Sequence, residues 1–258
     1  MKVLGPEGWK LFPADDRSRA WAEAALRAGR AAVRDPANSA WFRCAGTWFV
    51  GVNVLDTAPS GGLDGVPLAG PAADTLVSEG QWPHAWDRAQ VSVMYPGYPK
   101  PREGESDAAF RYRRDRDAAH VDGILPVGSD RRRMAQEHHA FILGLPLTWA
   151  DERAAPLVVW EGSHRLIADA LRAALAPIPV HLWPETDLTE VYHAARRDIF
   201  SSCRRVIVHA KPGEAYLVHR LSLHGVAPWE EDARSDPEGR MIAYFRPMID
   251  PEPWLLAP

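Results

Sequence analysis

The chain has 258 residues and a formal net charge of −4, with 46% hydrophobic and 25% charged residues, which is ordinary for a globular protein. No strongly basic face is evident, so we expect no nucleic-acid partner. The start lacks the apolar core of a signal peptide, and no apolar run is long enough to span a bilayer. Two cysteines can supply neither a disulfide framework nor a Cys-rich zinc site. We therefore expect a cytoplasmic protein without a membrane partner.

The N-terminal half begins with one helical pattern and continues with strands and loops. Residues 15–35 predict a helix, and the aromatic and β-branched run at 47–55 predicts a strand. Residues 57–74 are rich in Gly and Pro and predict a loop, after which 89–96 predicts a second strand. The polar stretch 97–119 has nearly balanced charges. It is predicted to be a solvated loop, and the functional alternative is a mobile lid.

The second half is mainly strand-like, with two helices between the strands. No shift in composition marks a linker, so residues 1–258 are predicted to form one domain. Most strands do not alternate regularly with helices, which argues against a doubly wound parallel sheet. A mainly β fold with added helices (α+β), of the sandwich or jelly-roll kind, fits better. The predicted strands are 138–150, 155–164, 204–211, 214–225 and 240–247, and the predicted helices are 165–177 and 186–200.

The sequence "HVDG" places His120 and Asp122 two residues apart. On a strand, this spacing puts both side chains on one face. One imidazole and one carboxylate can hold two adjacent positions of an octahedral metal, and a third ligand completes a facial triad with three open positions. A His-x-Asp sequence is common by chance, so the motif needs support from its surroundings.

A second pair of histidines lies in "VHRLSLHG", where His219 and His224 are five residues apart. Side chains alternate between the faces of a regular strand. In one regular strand the two histidines would therefore face opposite ways, and only one of them could face a metal.

These motifs follow one another in a defined order. His-x-Asp lies near mid-chain, "VVWEGSH" follows, a strand then ends in His-Gly, and Arg240 opens the last strand. This order resembles the phytanoyl-CoA dioxygenase-like family of Fe(II)/2-oxoglutarate-dependent oxygenases over roughly residues 86–250. The resemblance implies a double-stranded β-helix (jelly-roll, cupin-like) core preceded by an extension over residues 1–85.

The resemblance also implies the ligands and cofactors of the site. The metal ligands would be His120, Asp122 and His224, and His219 would be a packed residue. The cofactors would be Fe(II), 2-oxoglutarate as cosubstrate and O2, and the substrate a small molecule. Related halogenases lack the carboxylate ligand, so the presence of Asp122 favours hydroxylation.

The second carboxylate of 2-oxoglutarate needs a fixed cationic partner, and Arg suits it because its planar fork binds a carboxylate at two points. By family position we expect Arg240 to fill this role, with Arg246 and Arg234 as alternatives. Four departures from the family pattern leave the ligands intact but bear on the cosubstrate contacts. They are Glu161, Val226, the turn "DERAAP" and the long gap between His224 and Arg240.

Two other functions remain open from the sequence. One is a cupin-like metal enzyme that uses the same ligands without 2-oxoglutarate, and the other is a non-catalytic jelly-roll binding protein. The loops at about 57–75 and 97–118 are expected to select the substrate.

Overall fold

Two antiparallel sheets form the centre of the computed structural model, which describes residues 1–256. The strands are β1 (Trp9–Phe12), β2 (Phe42–Arg43), β3 (Trp48–Gly51), β4 (Gln90–Met94), β5 (Ile124–Val127), β6 (Arg132–Ala135), β7 (Phe141–Pro146), β8 (Leu157–Trp160), β9 (Arg205–Val208), β10 (Ala215–His219), β11 (His224–Val226) and β12 (Arg240–Phe245). The helices are α1 (Asp16–Arg34), α2 (Pro71–Ser78), α3 (Asp107–Asp115), α4 (Ser163–Leu175), α5 (Thr189–Ser202) and α6 (Pro251–Leu256).

The strands pair into one large sheet, one small sheet and a hairpin. The large sheet has the order β1-β10-β7-β12-β4-β3-β2, the small sheet has the order β11-β8-β9, and β5 pairs with β6. Ile142 and Ile242 of the large sheet share one buried cluster with Leu157 and Val159 of the small sheet. The two sheets therefore pack face to face, and the predicted mainly β fold with added helices and a jelly-roll core is confirmed.

Helices cover the outer faces of both sheets, so the central strands are buried on each side. Phe245 of β12 packs with Trp21 of α1 on the outside of the large sheet. Trp160 of β8 clusters with Leu171 of α4 and Tyr192 of α5 outside the small sheet. Strands covered on both faces read as continuous apolar runs instead of alternating ones, which is why β7 and β8 lack polar positions.

The predicted loops contain two helices. Residues 57–74 were expected to form a loop, but α2 already starts at Pro71. The polar stretch 97–119 contains α3, whose N-terminus is capped by the Ser106 side chain accepting from the Ala109 N–H. Ser at the N-cap followed by Asp107 is a helix-start signal, which the balanced charges of the stretch obscured.

The predicted strand 214–225 is two strands in different sheets. β10 ends at His219 in the large sheet, and β11 begins at His224 in the small sheet. The chain thus crosses from one sheet to the other between the two histidines. None of the helices within residues 1–256 is both long and apolar enough to cross a membrane.

Candidate metal centre

The structure brings together the three residues that were predicted to bind the metal. His120, Asp122 and His224 offer ligand atoms that all lie within 4.8 Å of one another. The Oδ1 atom of Asp122 is 3.2 Å from His120 Nε2 and 3.7 Å from His224 Nε2. Asp122 and His224 are buried, whereas half of the His120 side chain is exposed. Two imidazole nitrogens and one carboxylate oxygen therefore converge on one point.

The two histidines are held opposite each other by the backbone. The His120 N–H donates to the His224 carbonyl at 2.8 Å, and the His224 N–H donates to the His120 carbonyl at 3.0 Å. This antiparallel bridge lies outside the regular strands, because the chain turns directly after His120. The expectation that "HVDG" lies on one strand is therefore wrong. The bridge to β11, rather than strand parity, sets His120 beside His224, and the turn brings Asp122 to the same point.

Each histidine ring is fixed by a hydrogen bond to the chain itself. His120 Nδ1 donates to the carbonyl of Ala118 at 3.0 Å, and His224 Nδ1 donates to the carbonyl of Ser222 at 2.9 Å. In both cases the acceptor lies two residues before the histidine. This bond selects the tautomer that leaves Nε2 without a proton, the form that binds a metal.

The turn after Asp122 requires a glycine. Gly123 has φ +82°, and a Cβ built on it would lie 1.9 Å from the carbonyl oxygen of Glu137. The Gly123 carbonyl in turn accepts from the Gln136 N–H at 2.9 Å. The fourth residue of "HVDG" thus packs the ligand turn directly against the chain that leads into β7.

The segment before Asp122 is anchored by residues that the sequence analysis did not identify. The Asp117 carboxylate accepts from Arg205 Nε at 2.7 Å and Nη2 at 2.8 Å, and its carbonyl accepts from the Val226 N–H at 2.8 Å. The Val121 N–H donates to the Tyr192 hydroxyl at 3.0 Å. These contacts tie the segment that carries His120 and Asp122 to β9, β11 and α5. They are long-range pairings without a local sequence signal.

The charges in the site act differently on the three candidate ligands. Burial opposes ionisation of Asp122, but Arg246 and the two imidazoles outweigh it and hold the pKa of Asp122 well below its usual range. Burial lowers the pKa of His224 to about 4. Burial also acts to lower the pKa of His120, but the hydrogen bond and charge of Asp122 outweigh it and leave that pKa raised. At neutral pH the buried pair is therefore an ionised carboxylate and a neutral imidazole, as metal binding requires.

The three residues line the wall of a cavity of about 540 Å³ between the sheets. This volume is in the range of sites for small molecules. Apolar side chains from both sheets make up most of the wall, and polar groups are interspersed near the ligands. The remaining lining residues are Trp48, Val50, Val52, Asn53, Asp87, Gln90, Ser92, Met94, Glu137, His139, Ile142, Leu157, Val218, Gly225, Val226, Tyr244, Arg246 and Met248.

The three candidate arginines for the cosubstrate lie in different surroundings. Arg240 starts β12, is 7% exposed and interacts with the Tyr216 hydroxyl. That hydroxyl donates to the Tyr244 hydroxyl at 2.8 Å, and Tyr244 lines the cavity whereas Arg240 does not. Arg246 lines the cavity beside Asp122. Arg234 is exposed in the loop between β11 and β12.

Other sequence expectations about the site have mixed outcomes. His219 lies outside the cavity lining and packs against His164, with ring centroids 4.7 Å apart. The cavity lining contains no residue of 57–75 or 97–118, so within residues 1–256 neither predicted loop contacts this cavity. His139 also lines the cavity. The α3 helix contacts α5 instead of the cavity, through Tyr112 and Arg196.

The sequence matches no protein-family model and no curated protein sequence. Among solved structures, SnoK, a non-heme alpha-ketoglutarate-dependent carbocyclase from nogalamycin biosynthesis, is 13% identical with a TM-score of 0.49, over 94% of this chain and 81% of SnoK. The epimerase SnoN in complex with Fe3+, alpha-ketoglutarate and nogalamycin RO is 15% identical with a TM-score of 0.46, over 94% of this chain and 80% of SnoN. EctD from S. alaskensis with 2-oxoglutarate and 5-hydroxyectoine is 14% identical with a TM-score of 0.43, over 94% and 73% of the two chains.

Proposed function

We propose that this protein is an Fe(II)- and 2-oxoglutarate-dependent dioxygenase that hydroxylates a small molecule. The observation that carries the proposal is the arrangement of His120, Asp122 and His224. Their ligand atoms lie within 4.8 Å of one another and line a cavity of about 540 Å³. Two histidines and one carboxylate on one side of a metal leave its other positions open toward the cavity. This ligand set is typical of non-haem Fe(II) oxygenases.

The residues present fit an iron ion in their chemistry as well as in their number. Both imidazoles donate Nδ1–H to a backbone carbonyl, so each ring in its neutral form presents Nε2 to a metal. Asp122 is ionised and directs Oδ1 at the same point. We expect His120, Asp122 and His224 to hold Fe(II) with one atom each.

We propose that Arg240 binds the C5 carboxylate of 2-oxoglutarate. Its strand presents Arg240, Ile242 and Tyr244 on one face, since alternate residues of a strand share a face, and Arg246 follows directly after the strand ends. Arg246 and Arg240 are six residues apart, roughly 20 Å at the strand rise, so one small dicarboxylate cannot use both. Arg246 contacts Asp122, whereas Arg240 is joined to the cavity wall through the Tyr216 and Tyr244 hydroxyls.

The reaction follows from this arrangement. When bound, iron and 2-oxoglutarate supply the oxidation, in which O2 converts 2-oxoglutarate to succinate and CO2 and one oxygen atom is inserted into a substrate C–H bond. The protein orients the substrate against the apolar wall formed by Ile142, Leu157 and Val218 and limits the access of water. Asp122 occupies the position that halogenases leave for a halide, which supports hydroxylation. The order of motifs supports membership of the phytanoyl-CoA dioxygenase-like family.

The test is anaerobic addition of Fe(II) and then 2-oxoglutarate to metal-free protein. We expect a weak visible charge-transfer band that appears only when both are present, because chelation of the metal by the keto acid produces it. Admission of air should then release succinate. The His224→Ala variant is the control and should give no band.

The same experiment separates the two other functions. A cupin-like enzyme that does not use 2-oxoglutarate would bind Fe(II) but give no band and no succinate. A jelly-roll binding protein without a metal would not bind Fe(II) above the level of the His224→Ala control. Either outcome would contradict the proposed function.

A further inference from the structure

The two oxygens of the Asp122 carboxylate have different partners. Oδ1 faces the imidazoles, 3.2 Å from His120 Nε2 and 3.7 Å from His224 Nε2. Oδ2 accepts a hydrogen bond from Arg246 Nη1 at 3.3 Å. One oxygen of the carboxylate therefore faces the metal-binding point, and the other is bonded to the guanidinium of Arg246.

Arg246 is itself held in place from two sides. Its Nη2 donates to the side-chain oxygen of Gln90, a buried residue of β4. Its backbone carbonyl accepts from His139 Nδ1 at 2.9 Å. A planar guanidinium offers donors in fixed directions, so fixing one Nη on Gln90 also fixes where the other Nη points.

We infer that Arg246 is a positioning residue that keeps Asp122 in one-oxygen coordination of the metal. This inference rests on the proposed function, since it assumes that the three ligands hold an iron ion. With Oδ2 engaged by Arg246, only Oδ1 is available, and three metal positions stay open. Without Arg246, the carboxylate is free to turn or to bind through both oxygens, and a second oxygen would occupy a position that 2-oxoglutarate needs.

The charge of Arg246 adds to this effect. It is among the groups that hold the pKa of Asp122 well below its usual range, but the geometry of Oδ2 and Nη1 is the basis of the inference. A lysine would keep the charge without the two-point geometry of the guanidinium. An Arg246→Lys variant therefore separates orientation from charge.

The test uses the metal-free protein and Co(II), whose d–d spectrum reports the coordination number and needs no turnover. Wild-type protein, Arg246→Met and Arg246→Lys are each titrated with Co(II), and 2-oxoglutarate is then added to the Co(II) complexes. Loss of an outer-sphere partner typically lowers metal affinity 10–100-fold. We expect Arg246→Met to bind Co(II) at least about 10-fold more weakly and to show an altered d–d spectrum. Arg246→Lys should recover part of the affinity but keep the altered spectrum.

Two further variants keep the result interpretable. Arg234→Met removes an exposed arginine of the β11–β12 loop and should behave as wild type. Gln90→Leu leaves Arg246 in place but removes its second anchor, and should change the Co(II) spectrum in the same direction as Arg246→Met even if Arg246→Met folds poorly. Wild-type affinity and spectrum in both Arg246→Met and Gln90→Leu would overturn the inference. Failure of the wild-type protein to bind Co(II) or Fe(II) would instead overturn the proposed function.

Discussion

The α-carbon of Gly225 lies so close to the carbonyl group of Asp117 that a Cβ built on it would be 2.1 Å from the carbonyl oxygen. The Val226 N–H donates to that same oxygen at 2.8 Å. The residue after His224 therefore packs directly against the segment that leads into His120. In this protein the His-Gly pair has a steric origin, because any larger residue at 225 would push the two ligand segments apart.

We predict that Gly225→Ala lowers both stability and metal affinity. Forcing a methyl group into a packed site typically costs about 1–3 kcal/mol, and the displaced backbone includes the His120–His224 bridge. Urea unfolding measures the first effect and Co(II) titration the second. Gly46→Ala is a contrasting control, because Gly46 has φ +81° but no atom within 4 Å of its would-be Cβ, whereas the cost at Gly225 is the steric contact itself. Gly46→Ala should lose stability only. Wild-type metal affinity in Gly225→Ala would show that the close contact does not set the ligand geometry.

Removal of the ligands is the most direct test of the metal site. His120→Ala, Asp122→Ala and His224→Ala should each lower Fe(II) affinity by more than roughly 100-fold, beyond the effect of losing an outer-sphere partner, and should abolish turnover. His219→Ala should keep its iron, since His219 packs on His164 away from the cavity. The iron content of each variant after dialysis measures whether its iron is lost or retained. Loss of iron in His219→Ala with retention in His224→Ala would reverse the assignment of the two histidines.

The order of motifs selected His120, Asp122 and His224, which the structure brings together. The sequence predicted less of the structure around them. It could not show that β10 and β11 belong to different sheets, since the crossing between His219 and His224 leaves no Gly or Pro in "RLSL". The helix α3 was missed for a different reason, because its cap at Ser106 lies within a run of balanced charge.

The residues that support the site were also beyond sequence reasoning. Asp117 and Arg205 are 88 positions apart, and Arg246 and Asp122 are 124 apart. Pairings at such separations depend on how the two sheets meet, and no local periodicity encodes them. Arg246 was considered only as an alternative partner for 2-oxoglutarate, and its contact with Asp122 became visible only in the folded chain.

The choice of Arg240 as the cosubstrate partner makes a quantitative prediction. Removing one partner of a buried charge pair costs on the order of 2–5 kcal/mol. Arg240→Ala should therefore raise the 2-oxoglutarate concentration needed for half-maximal activity at least about 30-fold, while Fe(II) affinity stays near wild type. Arg234→Ala tests the alternative candidate and should change neither. Wild-type 2-oxoglutarate dependence in Arg240→Ala would show that Arg240 does not bind the cosubstrate carboxylate. A raised 2-oxoglutarate requirement in Arg234→Ala would assign that role to Arg234.

The buried pair His164 and His219 predicts loss of stability in mild acid. Burial, with smaller effects from Arg165 and the N-terminal amine, lowers the pKa of His164 to about 4, and burial followed by the charge of Arg220 lowers the pKa of His219 to about 2. The unfolded chain binds these protons near pH 6.5, so the folded state binds fewer protons below that pH. The stabilisation is therefore complete above pH 6.5 and is lost as the pH falls toward 4.

For His164 alone, the loss between pH 7 and pH 5 is roughly 2 kcal/mol. The His164→Gln variant removes one titrating group of the pair, so its free energy of unfolding should fall less between these pH values than that of wild type. Urea unfolding of metal-free wild type and of metal-free His164→Gln at pH 7 and pH 5 gives, for each protein, the change in the free energy of unfolding between these pH values. His181→Gln replaces an exposed histidine and should retain the wild-type fall. If His164→Gln lost as much stability in acid as wild type, the neutral buried His164 would not contribute to the acid sensitivity of the fold.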